Sequence, residues 1–168
     1  AFETIASPAT GSGLIRGRQI AEQIRILASA AGGSGMVGGQ VLDLEAERGA
    51  FVNAENSDSG HNDSNRTAET RVVELSQIHR MKTGALIAGA LELGAATASA
   101  DSDSRILLRQ FGHCIGLAFQ IADDLLDVTG DQTRLGKKTG RDADLGKLTF
   151  PVLMGIASSR AKAEQLVQ

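Results

Sequence analysis

The chain has 168 residues, a hydrophobic content of 42% and a net charge of −3. These values exclude a chain that is disordered throughout, and they give no reason to expect nucleic acid or an anionic membrane as a partner. No run of about 18 uninterrupted apolar residues occurs, so no membrane span is expected. A single cysteine, Cys114, excludes an internal disulfide framework and favours a reducing compartment, the cytoplasm.

Helical periodicity organises most of the chain. Apolar residues recur at helical spacing from about Leu14 to Ala31, and two glycines at 32 and 33 end that pattern. Further helices are predicted at about 34–47, 71–98, 104–128 and 151–168, the last with Pro151 in its first turn. No segment alternates with period two, so we predict an all-α, antiparallel helix bundle without a sheet.

Two segments are predicted to lie between these helices as loops. Residues 49–70 are rich in Asn, Asp and Ser and are predicted to form a flexible polar loop. Residues 129–148 are rich in Gly and Lys. Residues 1–7 read as the end of a helix whose beginning is absent, so we expect the chain to be part of one larger domain.

The strongest local signal is the acidic run Asp123-Asp124-Leu125-Leu126-Asp127. Residues three and four apart share one face of a helix, which predicts that the three carboxylates lie together. Clustered oxygen ligands suit Mg²⁺. The alternative is an ordinary solvated helix face, but the neighbouring residues are apolar, and an unpaired carboxylate cluster on a buried helix would be costly. The pattern therefore favours a metal.

Basic residues in two other places could hold phosphate oxygens. Lys82 stands beside the hydroxyl of Thr83 in the middle of a predicted helix, although a surface lysine is the commoner explanation of such a pair. Lys137 and Lys147 belong to the Gly- and Lys-rich loop, where a lysine can act as a point charge on a phosphate or simply be solvated.

Four runs of sequence, in order and spacing, resemble the trans-isoprenyl diphosphate synthases, in particular the bacterial farnesyl diphosphate synthases and their geranylgeranyl relatives. The runs are GMVGGQVLDL at 35–44, HRMKTGALI at 79–87, GLAFQIADDLLDV at 116–128, and LGK at 135–137 with GKLTFP at 146–151. The resemblance covers almost the whole chain and corresponds to the C-terminal portion of the family's domain. It implies a bundle of the isoprenoid synthase type, here lacking its N-terminal helices.

The resemblance implies a role for each matching residue. Asp123, Asp124 and Asp127 match the family's second aspartate-rich motif and are implied Mg²⁺ ligands. The implied catalytic residues are Lys82, Thr83 and Lys137, with Lys82 on the allylic diphosphate. The implied substrate-binding residues are Gln40, Asp43, Phe119, Gln120 and Lys147.

By the same resemblance, the whole enzyme is a Mg²⁺-dependent prenyltransferase. It condenses isopentenyl diphosphate with an allylic diphosphate to give farnesyl or geranylgeranyl diphosphate, and it is expected to be a homodimer. The family's first aspartate-rich motif and its basic isopentenyl diphosphate site have no counterpart in these 168 residues. The isolated chain is therefore expected to be inactive.

Three alternatives compete with this interpretation: a non-catalytic homologous subunit, an acidic bundle that binds a cation or a partner without chemistry, and a terpene cyclase. The acidic run and Lys82 argue against the first, and the DDxxD spacing argues against the third. A G-x-G-x-x-G match at 33–38 follows a predicted helix rather than a strand, so no dinucleotide site is predicted. His79 and His113 lack partners at zinc spacing and receive no role.

Overall fold

The computed structural model describes residues 1–6, 14–55, 67–130 and 147–168, with the side chains of all of these except 14–16 and 49–55. Every regular element within these ranges is helical, which confirms the predicted all-α class. The helices are α1 (Phe2–Ala6), α2 (Leu14–Ala31), α3 (Met36–Glu55), α4 (Ala68–His79), α5 (Ala85–Thr97), α6 (Ser102–Thr129), α7 (Phe150–Met154) and α8 (Ile156–Leu166).

A wide π-type turn, Arg80–Gly84, joins α4 to α5 and makes the two nearly continuous. Together they correspond to the single helix predicted at 71–98. Such turns are rare in helices and frequently occur at functional sites. This turn contains the Lys82-Thr83 pair.

Glycines set the closest contact between α6 and the helix formed by the π-type turn and α5. A Cβ on Gly112 would lie 2.5 Å from Ala88 Cα, and a Cβ on Gly116 would lie 2.5 Å from Gly84 Cα. Residue numbers rise along α6 as they fall along its partner, so the two helices are antiparallel, as predicted. The bare backbones touch here because neither glycine carries a side chain.

Side-chain caps fix two helix starts that the periodicity placed a few residues late. Asp101 Oδ1 accepts the Ser104 N–H over 2.9 Å, so α6 begins at Ser102 rather than near Ser104. Thr67 Oγ1 accepts the Thr70 N–H over 3.2 Å and starts α4 at Ala68.

The predicted boundaries of the polar loop at 49–70 were wrong at both ends. Helix α3 continues past the predicted end near Glu47 as far as Glu55, since the stretch 45–50 contains strong helix formers. Helix α4 already begins at Ala68, and residues 56–66 lie outside the described residues. The predicted last helix is likewise interrupted, because Gly155 has φ +80° and separates α7 from α8.

The core is mostly aliphatic, in a chain that has no Trp or Tyr. Its buried centre consists of Leu75, Leu117, Ile121 and Phe150, which join α4, α6 and α7. Each such side chain contributes about 1.5–3 kcal/mol relative to an exposed position. Cys114 is half-buried. None of the described helices is both long and apolar enough to cross a membrane.

Candidate functional site

One face of α3 contacts two lysines that the sequence assigned to the candidate site, Lys82 and Lys147. Gly39, Asp43 and Glu47 follow one another at intervals of four residues, so they lie along the same face. A Cβ on Gly39 would lie 2.3 Å from the backbone nitrogen of Lys82, which means that α3 rests directly on the π-type turn. Asp43 and Glu47, further along this contact face of α3, then meet Lys82 and Lys147.

The Lys82 ammonium forms an ion pair with Asp43 Oδ2. Asp43 is buried, and the Lys82 side chain is only 27% exposed, so much of the pair is removed from water. Removing one partner of a buried pair leaves an uncompensated charge, which costs far more than loss of a surface ion pair. The sequence assigned both residues to the site, and the structure brings them together. Thr83, next to Lys82, is half-buried.

Lys147 Nζ lies 3.5 Å from Glu47 Oε1, one turn of α3 beyond the Lys82 pair. A cavity of about 50 Å³ opens here, and its polar lining comes from Asp43 and Glu47 of α3, Arg71 and Glu74 of α4, and Lys147. That volume accommodates water molecules rather than a prenyl chain. Sequence reasoning missed Glu47, although its position four residues after Asp43 placed it on the same helical face.

The predicted site residues of α6 lie on two different stripes along the surface of the helix. Successive residues of an α-helix are rotated by about 100°. On that basis, the stripe that begins with Gly112 and Gly116, against α5 and the π-type turn, continues through Phe119, Gln120, Asp123 and Asp127. A second stripe contains Leu117, Ile121 and Asp124, all buried. Asp123 and Asp127 therefore lie on the side of α6 that meets the Lys82 turn.

The prediction that all three aspartates share one face was wrong for Asp124. Its residue exposure is 7%, and its Oδ2 accepts the Phe150 N–H over 3.0 Å, within the core. Asp123 is exposed and Asp127 is half-buried. The difference arises because Asp124 follows Leu117 and Ile121 at helical spacing, so it is drawn to the core face of α6.

The carboxylates present suit a metal ion that is also bound by a substrate phosphate better than one held by protein ligands alone. Among the described residues, no group of three or more His, Cys, Asp or Glu side chains is arranged to hold a metal ion. Mg²⁺, however, is usually bound by one or two carboxylates together with substrate phosphates and waters. Asp123 and Asp127, one turn apart and accessible, fit that arrangement.

His79 is a second residue for which the sequence predicted no role. It is 3% exposed, neither ring nitrogen has a hydrogen-bond partner among the described residues, and its ring centroid lies 5.8 Å from that of Phe150. The pKa of His79 is lowered to about 4, chiefly by burial; Asp43 acts in the opposite direction, and Lys147 and Lys82 add to the lowering. A neutral imidazole therefore borders the two lysine pairs at pH 7. Its position three residues before Lys82 was the available signal.

The remaining predicted residues have more open positions. Gln40 is exposed beside Gly39, Phe119 is 60% exposed, and Gln120 is half-buried. Phe119 thus presents an aromatic ring on the α6 stripe that also carries Asp123. Lys137 lies outside the described residues.

A family model described as polyprenyl synthetase matches residues 10–168. The chain belongs to the polyprenyl synthetase family. It is 46% identical over 143 residues to the farnesyl diphosphate synthase of Escherichia coli (strain K12), a match that covers 84% of this chain and 41% of that protein. It is 38% identical over 166 residues to the chloroplastic heterodimeric geranylgeranyl pyrophosphate synthase large subunit 1 of Arabidopsis thaliana, covering 99% and 40%.

Solved structures of polyprenyl synthetases share the fold. The geranyltransferase of Helicobacter pylori complexed with magnesium and isoprenyl diphosphate matches with a TM-score of 0.69 and 30% identity, over 98% of this chain and 46% of that one. The resemblance that the sequence motifs indicated is thereby confirmed. The chain spans about four-tenths of the length of the curated relatives it matches.

Proposed function

We propose that this chain provides the metal- and diphosphate-binding part of a prenyltransferase that joins isopentenyl diphosphate to an allylic diphosphate. One observation carries the proposal. The turn that holds Lys82 rests on Gly116 of α6, and the same stripe of α6 continues to Asp123 and Asp127. The turn that carries Lys82 thus contacts the stripe of α6 that carries the two carboxylates, and lysines and carboxylates are the groups that bind a magnesium diphosphate.

Each residue of this arrangement would have a separate task. Asp123 and Asp127 would hold the Mg²⁺, which when bound supplies Lewis acidity to the leaving diphosphate. Lys82 and Lys147, with Thr83 and Lys137, would contact diphosphate oxygens, and their fixed positive charge would stabilise the negative charge that develops as the allylic bond breaks. The exposed ring of Phe119 would cover the prenyl chain and keep water from the cation.

The names of the relatives support the substrate class. Those in E. coli and A. thaliana are a farnesyl and a geranylgeranyl diphosphate synthase, and the H. pylori structure contains magnesium and an isoprenyl diphosphate. Gln40 and Gln120, together with Asp43 through its ion pair with Lys82, complete the substrate-binding set of the proposal. A homodimer and a cytoplasmic location stay predictions, to be checked by light scattering and by fractionation.

Binding of inorganic pyrophosphate to the purified chain tests the proposed site directly. Isothermal titration with and without Mg²⁺ should give binding that requires the metal. Asp123→Ala and Lys82→Ala should each weaken it about tenfold, which corresponds to loss of one charge-assisted contact. Asp103→Ala removes an exposed aspartate at the opposite end of α6 and should change nothing. Equal binding without Mg²⁺, or an unaffected Asp123→Ala, would refute the site.

Catalysis is tested in a chimera in which this chain replaces the segment of E. coli farnesyl diphosphate synthase that it matches. The chimera should elongate geranyl diphosphate with isopentenyl diphosphate, and Asp123→Ala or Lys82→Ala should abolish elongation. The chain alone should produce none, as expected from the sequence. A chimera that folds, judged by circular dichroism, but does not elongate any allylic primer would favour the non-catalytic subunit instead.

A further inference from the structure

The two ion pairs that α3 forms with lysines have the same arrangement. Asp43 and Glu47 stand one turn apart on the contact face of α3, and each meets a lysine that the proposed function assigns to the diphosphate. The lysines come from distant parts of the chain, the π-type turn and the segment before α7, so α3 alone brings their counter-ions together.

Among the described residues, the cavity and the adjoining Lys82 pair carry equal numbers of carboxylates and cationic groups. Carboxylates of Asp43, Glu47 and Glu74 stand with the cationic groups of Arg71, Lys82 and Lys147. Partly buried ammonium groups require such counter-ions, because an unpaired charge in a cleft loses hydration without compensation. An arriving diphosphate therefore competes with carboxylates for the same ammonium groups, and a departing one is replaced by them.

We propose that Glu47, with Asp43 one turn before it, competes with the diphosphate for Lys147 and Lys82 and so promotes release of inorganic diphosphate. The inference rests on the proposed function. Glu47 acts through Lys147 and is a positioning residue, not a catalytic one. The contact is a non-covalent exchange of ion pairs, so no bond forms or breaks.

Glu47 offers the clearest test of this exchange. Its side chain is 36% exposed, so its replacement leaves the core intact, whereas Asp43 is buried. Glu47→Gln keeps the shape and removes the charge. Glu45→Gln is the matched control, because Glu45 is an exposed glutamate on the same helix, two residues away and therefore on another face.

The measurement is the binding of Mg²⁺-pyrophosphate to the 168-residue chain, by titration for affinity and by stopped flow for the dissociation rate. Glu47→Gln should tighten binding at least threefold, chiefly through slower dissociation, and Glu47→Asp should restore most of the wild-type rate. Glu45→Gln should stay within experimental error of wild type. In a Lys147→Met background, Glu47→Gln should no longer have an effect, since the contested ammonium group is gone.

The possible failures are distinguishable. If the wild-type chain binds pyrophosphate and Glu47→Gln binds it equally or more weakly, this inference is overturned and the proposed function stands. If Glu45→Gln tightens binding equally, or if the effect of Glu47→Gln persists in the Lys147→Met background, the effect is due to net charge alone. Either outcome would also overturn the inference. If the wild-type chain binds no pyrophosphate at any Mg²⁺ concentration, the proposed function and this inference fail together.

Discussion

The backbone N–H of Phe150 donates a hydrogen bond to Asp124 Oδ2 over 3.0 Å, inside the core. This contact ties the C-terminal part of α6 to the first residue of α7. Lys147 precedes Phe150 by three residues. The hydrogen bond to Phe150 therefore also restricts the backbone position of Lys147, whose side chain pairs with Glu47. Asp124 thus stabilises the core, while Asp123 and Asp127 lie on the other stripe of α6.

Replacing the two adjacent aspartates should change stability by clearly different amounts. Asp124→Ala should lower the free energy of unfolding by about 1–3 kcal/mol, because a buried N–H loses its acceptor. Asp123→Ala, at an exposed position, should change it by no more than about 0.5 kcal/mol. Urea denaturation followed by circular dichroism measures both. Equal destabilisation by the two variants would contradict the division of α6 into two stripes.

A methyl group at Gly116 should separate α6 from the Lys82 turn. Its Cβ would lie 2.5 Å from Gly84 Cα, so the backbones must move apart, at a cost of about 1–3 kcal/mol. Gly94→Ala is the control, since a Cβ there meets nothing within 4 Å and should stabilise α5 by up to about 1 kcal/mol. Opposite shifts in the urea midpoint are expected. A stabilised Gly116→Ala variant would exclude the close contact.

Periodicity alone predicted much of this architecture. Leu14 to Ala31, with its apolar residues at helical spacing and two glycines beyond, matches α2. Periodicity could not predict that α3 runs to Glu55, because helix propensity there opposes the polar composition on which the loop prediction relied. Nor could it predict the break at Gly155, since one glycine inside a helical pattern does not reveal its φ angle.

The sequence named candidate site residues but not the contacts between them. Counting along α6 put Asp123, Asp124 and Asp127 on one face, because separations of three and four residues both suggest a shared face. The burial of Asp124 depends on Phe150, which is distant in sequence. The partnership of Glu47 with Lys147 likewise requires α3 and the segment before α7 to meet in space, which no local pattern encodes.

The ion pair of Lys82 with Asp43 should show strong non-additivity in stability. Lys82→Met or Asp43→Asn alone leaves one charge partly buried and should destabilise the chain by about 1–3 kcal/mol. The double variant removes both charges and should be less destabilised than the sum of the two by about 1 kcal/mol or more. Additive effects in urea denaturation would mean that solvent already screens the pair.

Acid should destabilise the chain through His79. The pKa of this imidazole is about 4 in the folded chain and near its ordinary 6.5 in the unfolded chain. The unfolded chain therefore binds more protons between these values, so stability is complete above about pH 6.5 and falls as the pH drops towards 4. At about 1.4 kcal/mol per pH unit, the total loss from this residue is roughly 3 kcal/mol.

His79→Leu removes the titrating group and keeps an apolar contact with Phe150. At pH 7 its free energy of unfolding should stay within about 1.5 kcal/mol of wild type, because the buried imidazole nitrogens have no hydrogen-bond partners to lose among the described residues. Between pH 6.5 and 4 its stability should fall less steeply than that of wild type. A residual slope from His113 is expected, since burial, Arg80 and Arg109 lower its pKa as well. Parallel curves for the variant and wild type would show that the His79 environment admits water or a proton, and that the two lysine pairs beside it are less enclosed than their burial indicates.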